Sequence, residues 1–167
     1  MKRKILLVDD EVAVLLTLKA VLEISGYDVE TAASAREGKH KLRTHEYDMI
    51  ITDMRMESDA SGAEVIKAAR EASYHPAVAL LTAFPLADED WQEMGADKML
   101  VKPMQTRALL MQIEKLMASH QARFKAAAKT NGTAPKTKER SAKKMPEVAI
   151  AASAAKSAAK KRAGARA

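Results

Sequence analysis

Five short strand-like runs recur within the first 120 residues, and each is followed by a segment with helical spacing of its apolar residues. The first run, ILLV, has four apolar residues in succession, which predicts a strand buried on both faces. Repeated strand–helix units predict an α/β fold, a parallel sheet with helices on both faces. The predicted strands are residues 5–8, 28–32, 48–53, 77–82 and 98–101.

Sequence signals also mark where several helices begin or end. Gly26 follows the first helical segment and predicts its C-terminal end. Ser34 with Glu37, and Ser61 with Glu64, have the spacing of capping boxes, in which a hydroxyl and a carboxylate accept hydrogen bonds from free amides at a helix start. The last helix is predicted at about residues 105–120, with an apolar face formed by Leu109, Ile113, Leu116 and Met117.

Charge divides the chain into two parts of opposite sign. Residues 1–120 contain 15 Lys and Arg against 20 Asp and Glu, whereas residues 121–167 contain 13 Lys and Arg against 2 Glu. The second part is also rich in alanine and has too little apolar surface to form a core. We therefore predict a domain of residues 1–120 and a basic, mostly disordered tail of residues 121–167, whose start extends the last helix to about residue 129. The tail is a spacer, a DNA-phosphate-binding arm, or a contact for an acidic protein surface.

Several classes of protein are excluded or disfavoured. There is no cysteine, which excludes disulfides and thiolate metal sites. No apolar run is long enough to span a bilayer, and the N-terminal basic residues precede only four apolar residues, unlike a signal peptide. There is no glycine-rich phosphate loop, and the four histidines lack metal-ligand spacing. We expect a cytoplasmic protein with no membrane partner.

Polar side chains follow four of the predicted strands. Asp9 and Asp10 follow the first, and the third ends with Asp53, the fourth with Thr82 and the fifth before Lys102. Right-handed crossovers bring all these strand ends to one edge of a parallel sheet. Three carboxylates suit a hard cation such as Mg²⁺, and a lysine and a hydroxyl suit phosphoryl oxygens. A carboxylate in such a site can attack phosphorus and form an aspartyl-phosphate.

The motifs VDDE, ITDM, LLTA and VKP, in this order and spacing, resemble the receiver domain of bacterial response regulators over about residues 3–120. The resemblance implies the flavodoxin-like (βα)5 fold, doubly wound, with strand order 2-1-3-4-5. It also implies that Asp53 is the phosphoacceptor. Asp10 would bind Mg²⁺ directly and Asp9 through water, and the backbone carbonyl of Arg55 would complete the protein's ligands.

The same resemblance assigns the two remaining strand-end residues. Thr82 matches the switch hydroxyl that turns toward the phosphoryl group. Lys102 matches the ion-pair partner of the acids, and the Lys102–Pro103 bond is expected to be cis. Because all five side chains are present, we expect an active phosphoacceptor rather than a degenerate one.

The chain departs from the family pattern at three places. Met99 stands where the family usually has Tyr or Phe, so the switch is expected to be altered. The loop after Asp53 lacks the usual Met-Pro, looks one residue longer and carries Glu57, whose charge we expect near the cation. Arg55 and Phe84 each stand two residues past a site residue, beside the path of the hydrolytic water. We therefore expect a long-lived phosphorylated state.

The function predicted from these features is that of a stand-alone receiver. It would accept a phosphoryl group on Asp53 from a histidine kinase or phosphotransfer protein and switch the binding of an unknown downstream protein. It is not predicted to be an enzyme, apart from taking part in its own Mg²⁺-dependent phosphorylation and dephosphorylation. The alternative is a phosphorylation-modulated nucleic-acid-binding protein whose tail makes nonspecific DNA contacts. A third hypothesis is a structural receiver that is not phosphorylated.

Overall fold

The computed structural model describes residues 1–130 of the chain. The predicted disorder of the tail therefore concerns residues that lie largely outside the described part. Within residues 1–130, no helix is both long and apolar enough to cross a lipid bilayer.

Five parallel strands form one sheet in the order β2-β1-β3-β4-β5, as the resemblance implied. Parallel neighbours need a crossover of a dozen or more residues, which the intervening helices supply. Because β1 lies at the point where the strand order reverses, the ends of β1 and β3 are adjacent at the edge that binds ligands in such folds. The strands are β1 (Lys4–Val8), β2 (Asp28–Ala32), β3 (Met49–Asp53), β4 (Ala77–Thr82) and β5 (Lys98–Val101).

The helices cover both faces of this sheet. Their bounds are α1 (Val12–Ile24), α2 (Ala35–Thr44), α3 (Ser61–Glu71), α4 (Asp88–Glu93) and α5 (Thr106–Thr130). The last helix thus continues through the first ten residues of the predicted tail, to the end of the described part. Helix α4 is short, with six residues.

The core consists of two apolar layers, one on each face of the sheet. Successive side chains of a strand point to opposite faces, so Ile5 and Leu7 lie in one layer and Leu6 and Val8 in the other. This explains why residues 5–8 of β1 are all apolar. The first layer, between the sheet and helices α1 and α5, contains all four predicted residues of the α5 face, Leu109, Ile113, Leu116 and Met117.

Two of the predicted helix signals are confirmed. Gly26 has a φ of +94°, a conformation that favours glycine, directly after the end of α1. At the start of α2, the Ser34 hydroxyl accepts a hydrogen bond from the Glu37 amide at 3.1 Å. The Glu37 carboxylate accepts from the amide of Ala33, one residue earlier than in an ideal capping box, at 2.9 Å.

The predicted capping box at the start of α3 is wrong. Ala60 is the N-cap, and Ser61 is already helical, with its hydroxyl accepting from the Ser58 amide at 2.9 Å. Glu64 forms an ion pair with Lys39 of α2 instead of reaching back to its own helix start. Tertiary packing sets the start of α3, because the amide of the next residue, Gly62, bonds to the loop before the helix.

Candidate functional site

Three carboxylates meet at the C-terminal edge of the sheet. Asp9, Asp10 and Asp53 each offer an oxygen atom, and these atoms lie within 4.8 Å of one another. The cause is the topology, since β1 and β3 are adjacent and parallel and end side by side. Asp9 is buried, with 4% of its surface exposed, Asp53 is half-buried and Asp10 is exposed. The structure therefore brings together the three acids predicted from the strand ends.

Lys102 extends from the end of β5 into this acidic cluster. Its Nζ atom lies 2.8 Å from Oδ2 of Asp9 and 3.6 Å from Oδ2 of Asp53. Burial alone would lower the pKa of Lys102, but its bond to Asp9 and the charges of Asp9 and Asp53 outweigh this and raise the pKa. The ammonium is therefore charged at neutral pH. The Lys102–Pro103 bond is cis, as the resemblance implied.

The pKa of the Asp53 carboxyl group is raised above its ordinary value. Burial is the main cause that raises its pKa, and the charge of Asp9 adds to it, while Lys102 and the hydrogen bond from the Met54 amide, at 2.8 Å, oppose it. Three carboxylates face one ammonium in this cluster. An oxygen-rich, net negative site of this kind fits a divalent hard cation such as Mg²⁺.

Thr82 ends β4 next to the acidic cluster, since the neighbouring Leu81 pairs with Asp53 across the sheet. The threonine is 2% exposed. Its hydroxyl donates a hydrogen bond to the carbonyl of Phe84 at 3.2 Å and accepts one from the Phe84 amide at 3.1 Å. Thr82 is thus held by its own loop rather than by the acids.

Arg55 and Phe84, which follow the ends of β3 and β4, contact each other. The guanidinium carbon of Arg55 lies 4.7 Å from the centre of the Phe84 ring, an arrangement typical of a cation–π interaction. The sequence placed each residue beside its own strand end but did not predict their contact. The contact joins the loop after β3 to the loop after β4, and both side chains are exposed.

Two further residues of the site region have partners that the sequence did not predict. The Glu57 carboxylate accepts a hydrogen bond from the amide of Ala35, the first residue of α2, at 2.8 Å. Met99 packs beside the second core layer, and its sulfur accepts a bond from the Leu86 amide at 3.4 Å. The thioether therefore fills interior space next to the loop between β4 and α4.

A second ionic cluster lies at the opposite, N-terminal edge of the sheet, and the sequence analysis missed it. Asp97, just before β5, accepts a hydrogen bond from the Val78 amide at 2.9 Å. Arg70 of α3 and Arg123 of α5 contact its carboxylate at 2.8 Å and 3.1 Å. Burial alone would raise the pKa of Asp97, but the Val78 and Arg70 bonds and both guanidinium charges outweigh it and lower the pKa.

The curated proteins that are similar to this chain include transcriptional regulatory proteins of bacteria. It is 34% identical over 122 residues to the alkaline phosphatase synthesis transcriptional regulatory protein PhoP of Bacillus subtilis, covering 70% of this chain and 49% of that protein. It is 36% identical over 119 residues to the CpxR homologue of Haemophilus influenzae, covering 68% and 50%. The chain thus spans about half the length of these relatives.

Solved structures match this chain over nearly their whole length. Chemotaxis protein CheY4 of Vibrio cholerae superposes with a TM-score of 0.64 at 32% identity, covering 70% of this chain and 99% of that one. Response regulator TrrA of Thermotoga maritima, in complex with Mg²⁺-BeF, has a TM-score of 0.62 at 32% identity and covers 70% and 99%. The profile of the response regulator receiver domain matches residues 5–114. The chain therefore belongs to the response regulator receiver family of two-component signalling proteins.

Proposed function

We propose that Asp53 accepts a phosphoryl group from the phosphohistidine of a histidine kinase or phosphotransfer protein in the cytoplasm. The observation that carries this proposal is the meeting of Asp9, Asp10 and Asp53 within 4.8 Å, with Lys102 in contact with two of them. A nucleophilic carboxylate, a cation-binding acid pair and a fixed ammonium are the groups that phosphoryl transfer to an aspartate requires.

The proposed reaction forms one bond to phosphorus as another breaks. An oxygen of the Asp53 carboxylate attacks the phosphorus atom, the bond from phosphorus to the donor imidazole nitrogen breaks, and that nitrogen takes up a proton from solvent. Lys102 neutralises negative charge on the phosphoryl oxygens. Asp9, Asp10, Asp53 and the carbonyl of Arg55 would hold Mg²⁺, which when bound supplies further positive charge to those oxygens.

Thr82 provides the conformational response in this proposal. Its hydroxyl is occupied by both backbone groups of Phe84, at 3.1 and 3.2 Å. To donate a hydrogen bond to a phosphoryl oxygen on Asp53, the hydroxyl must leave the Phe84 carbonyl, and this changes the loop after β4. The change alters the surface that a downstream protein contacts, so Asp53 works as a switch rather than turning over a substrate.

The similar proteins support this proposal at the level of the domain. TrrA was solved in complex with Mg²⁺-BeF, and it matches this chain at 32% identity over 70% of the chain. PhoP and the CpxR homologue are transcriptional regulatory proteins, but the chain spans only 49% and 50% of their length. Their regulation of transcription is therefore no guide to the downstream partner of this chain.

The decisive experiment is incubation of the full chain with a small acyl phosphate and Mg²⁺, followed by intact-mass measurement. One phosphoryl group is expected on the wild type and none on Asp53→Asn. Asp59→Asn is the matched control and should be phosphorylated normally, because Asp59 is in the same loop with 92% of its side chain exposed, and its 3.6 Å ion pair with the exposed Arg55 side chain contributes little. Absence of phosphate from the wild type would support the structural-receiver hypothesis instead, and phosphate on Asp53→Asn would show that another residue is the acceptor.

The charge division favours a second candidate function, DNA binding through the basic tail. Residues 121–167 carry 13 basic residues against 2 acids, and in the described part Lys125 and Lys129 of α5 are exposed. Such a segment binds phosphates with an affinity that falls steeply with salt, by a slope of about −0.9 per contact. The predicted division at residue 120 falls inside α5, which continues to the end of the described part, so the basic arm proposed here begins within that helix.

Duplex-DNA binding at several salt concentrations tests the second candidate function. The full chain is compared with a chain cut after Thr130, because Arg123 and Phe124 of α5 contact the folded domain. If the tail is an output arm, the full chain binds DNA with a steep salt slope and the shortened chain does not. Equal binding, or none by either, leaves the tail as a spacer or a protein contact.

A further inference from the structure

The loop between β3 and α3 is held at its two ends and within its turn. The Gly62 amide donates to the Met54 carbonyl at 2.9 Å and closes the loop. Inside it, the Ser58 amide bonds to the Ser61 hydroxyl at 2.9 Å. Residues 54–60 contain no proline, so no ring restricts the backbone between these contacts. The conformation of residues 55–57 therefore depends on noncovalent contacts.

Glu57 ties the tip of this loop to a different helix. Its Oε1 atom accepts a hydrogen bond from the amide of Ala35, the first residue of α2, at 2.8 Å. The first amides of a helix have no partner within the helix, and a carboxylate there is favoured by the helix dipole. The hydroxyl of Ser34, the N-cap of α2, is a second acceptor at this helix start, and it bonds to the Glu37 amide of the same helix. Of these two acceptors, Glu57 is the one that joins the β3–α3 loop to α2.

Glu57, which forms this hydrogen bond, lies two residues from Arg55, whose backbone carbonyl is the proposed Mg²⁺ ligand. A side-chain ligand can adjust its direction by rotation, whereas the Arg55 carbonyl points wherever the loop backbone directs it. On one side this backbone is fixed by the end of β3, where the Met54 amide bonds to Asp53. On the other side Met56 packs partly buried beside the second core layer, and Glu57 bonds to α2.

We infer that Glu57 is a positioning residue for the Mg²⁺ site: by bonding to the α2 start it holds the Arg55 carbonyl toward the acidic cluster. This inference rests on the proposed function, because it requires that Arg55 supply a ligand. Partners that orient metal ligands commonly change metal affinity by 10-fold or more when removed. The coupling is reciprocal, so cation binding must also strengthen the Glu57–Ala35 bond.

Mg²⁺ titrations of the full chain by calorimetry, with three variants, test the inference. Glu57→Ala should weaken Mg²⁺ binding about tenfold. Glu57→Gln, which keeps an acceptor of the same length, should recover most of the affinity. Ser34→Ala is the matched control: it removes an acceptor from the same helix start without touching the loop, so it should lower Tm by a few degrees, as Glu57→Ala does, but leave the Mg²⁺ affinity unchanged.

The outcomes separate this inference from the proposed function. If the wild type does not bind Mg²⁺, the proposed function fails. If the wild type binds Mg²⁺ and Glu57→Ala binds it equally well, Glu57 is only a helix cap and the inference is overturned. Should Glu57→Ala not fold, amide hydrogen exchange of the wild type decides: Mg²⁺ should slow exchange at Ala35 by at least about threefold, and unchanged exchange there would overturn the inference.

Discussion

The two edges of the sheet each bury acidic side chains but treat them in opposite ways. At the C-terminal edge, three carboxylates share one ammonium, and the pKa of Asp53 is raised. At the N-terminal edge, the single carboxylate of Asp97 lies between two guanidinium groups, and its pKa is lowered. Burial acts to raise the pKa of both carboxyl groups, so their opposite net shifts come from the number of positively charged and hydrogen-bonding partners. The carboxylate at the N-terminal edge has its partners within the described chain, whereas the C-terminal edge has an excess of negative charge.

This comparison indicates different tasks for the two edges. A buried carboxylate with all its partners contributes to stability and fastens α3 and α5 to the sheet. A carboxylate cluster with too few positive charges lowers the stability of the fold, and binding of a cation offsets this cost. Binding sites commonly lower stability in this way because function requires it. The following predictions test the comparison from the largest expected effect to the smallest.

Removal of the Asp97 carboxylate should have the largest effect. Asp97→Ala leaves the Val78 amide without its partner and two guanidinium groups without a counter-charge. Because bonds to charged groups contribute about 1.5–3 kcal/mol, we expect a loss of about 2–3 kcal/mol in the free energy of unfolding, measured with urea. Asp97→Asn, which keeps an acceptor for Val78, should lose less. Wild-type stability of Asp97→Ala would show that this edge is not a stabilising cluster.

Neutralising the phosphoacceptor should have the opposite sign. Asp53→Asn removes one of three carboxylates from the C-terminal edge, so it should raise the free energy of unfolding of the metal-free protein by on the order of 1 kcal/mol. Added Mg²⁺ should reduce this advantage, because it stabilises the wild type by binding. The exposed Asp59→Asn serves as control and should change little. A destabilised Asp53→Asn in the absence of Mg²⁺ would contradict the charge excess.

The two acids should also act in different pH ranges. The folded pKa of Asp53 is raised, so the advantage of Asp53→Asn is complete above the folded pKa, shrinks as the pH falls below it, and is gone below the unfolded value of about 3.9. The folded pKa of Asp97 is lowered, so its stabilisation is complete above the unfolded value of about 3.9 and is lost as the pH falls through the folded pKa.

Urea unfolding of the wild type, Asp53→Asn and Asp97→Asn between pH 7 and pH 3 measures both differences without Mg²⁺. The difference at Asp53 should vanish at a higher pH than the difference at Asp97. If both differences disappeared together, the two carboxylates would have the same environment and the contrast between the edges would be wrong.

The smallest effect concerns the contact between Arg55 and Phe84. Arg55 and Phe84 stack at 4.7 Å, and an exposed cation–π pair contributes about 0.5–1 kcal/mol. If this pair restricts water near Asp53, Phe84→Ala should shorten the lifetime of the phosphorylated protein about two- to fivefold. Intact mass against time in Mg²⁺ buffer measures it. We expect a long-lived wild-type aspartyl-phosphate, and loss within seconds would contradict a restricting role. Phe124→Ala, an aromatic change at the other edge, should leave the lifetime unchanged.

The parts that the sequence predicted correctly depend on short-range patterns. The ILLV run, the glycine after α1 and the four apolar residues of α5 each reflect periodicity or a local backbone requirement. The acidic cluster was predictable because a parallel sheet brings strand ends to one edge, whatever the loops do. These arguments need only the order of elements along the chain.

The parts that were missed or wrong depend on contacts between distant residues. Asp97 meets Arg70 and Arg123, each about 26 residues away, and no local pattern marks these three as partners. The Ser61 capping box failed because close packing at Gly62, rather than the local capping signal, sets the start of α3. Side-chain partners of this kind depend on the three-dimensional arrangement.

The tight contact at Gly62 has a consequence for how this protein can change during evolution. A Cβ atom there would lie 2.5 Å from the Asp53 carbonyl oxygen and 2.6 Å from the Met54 Cα. No larger residue fits without shifting the strand end that carries Asp53. Residues 58–60, at the exposed turn of the same loop, meet no such limit. Insertions and new side chains can therefore accumulate at the turn while position 62 stays glycine, so the loop can diverge between lineages without moving Asp53.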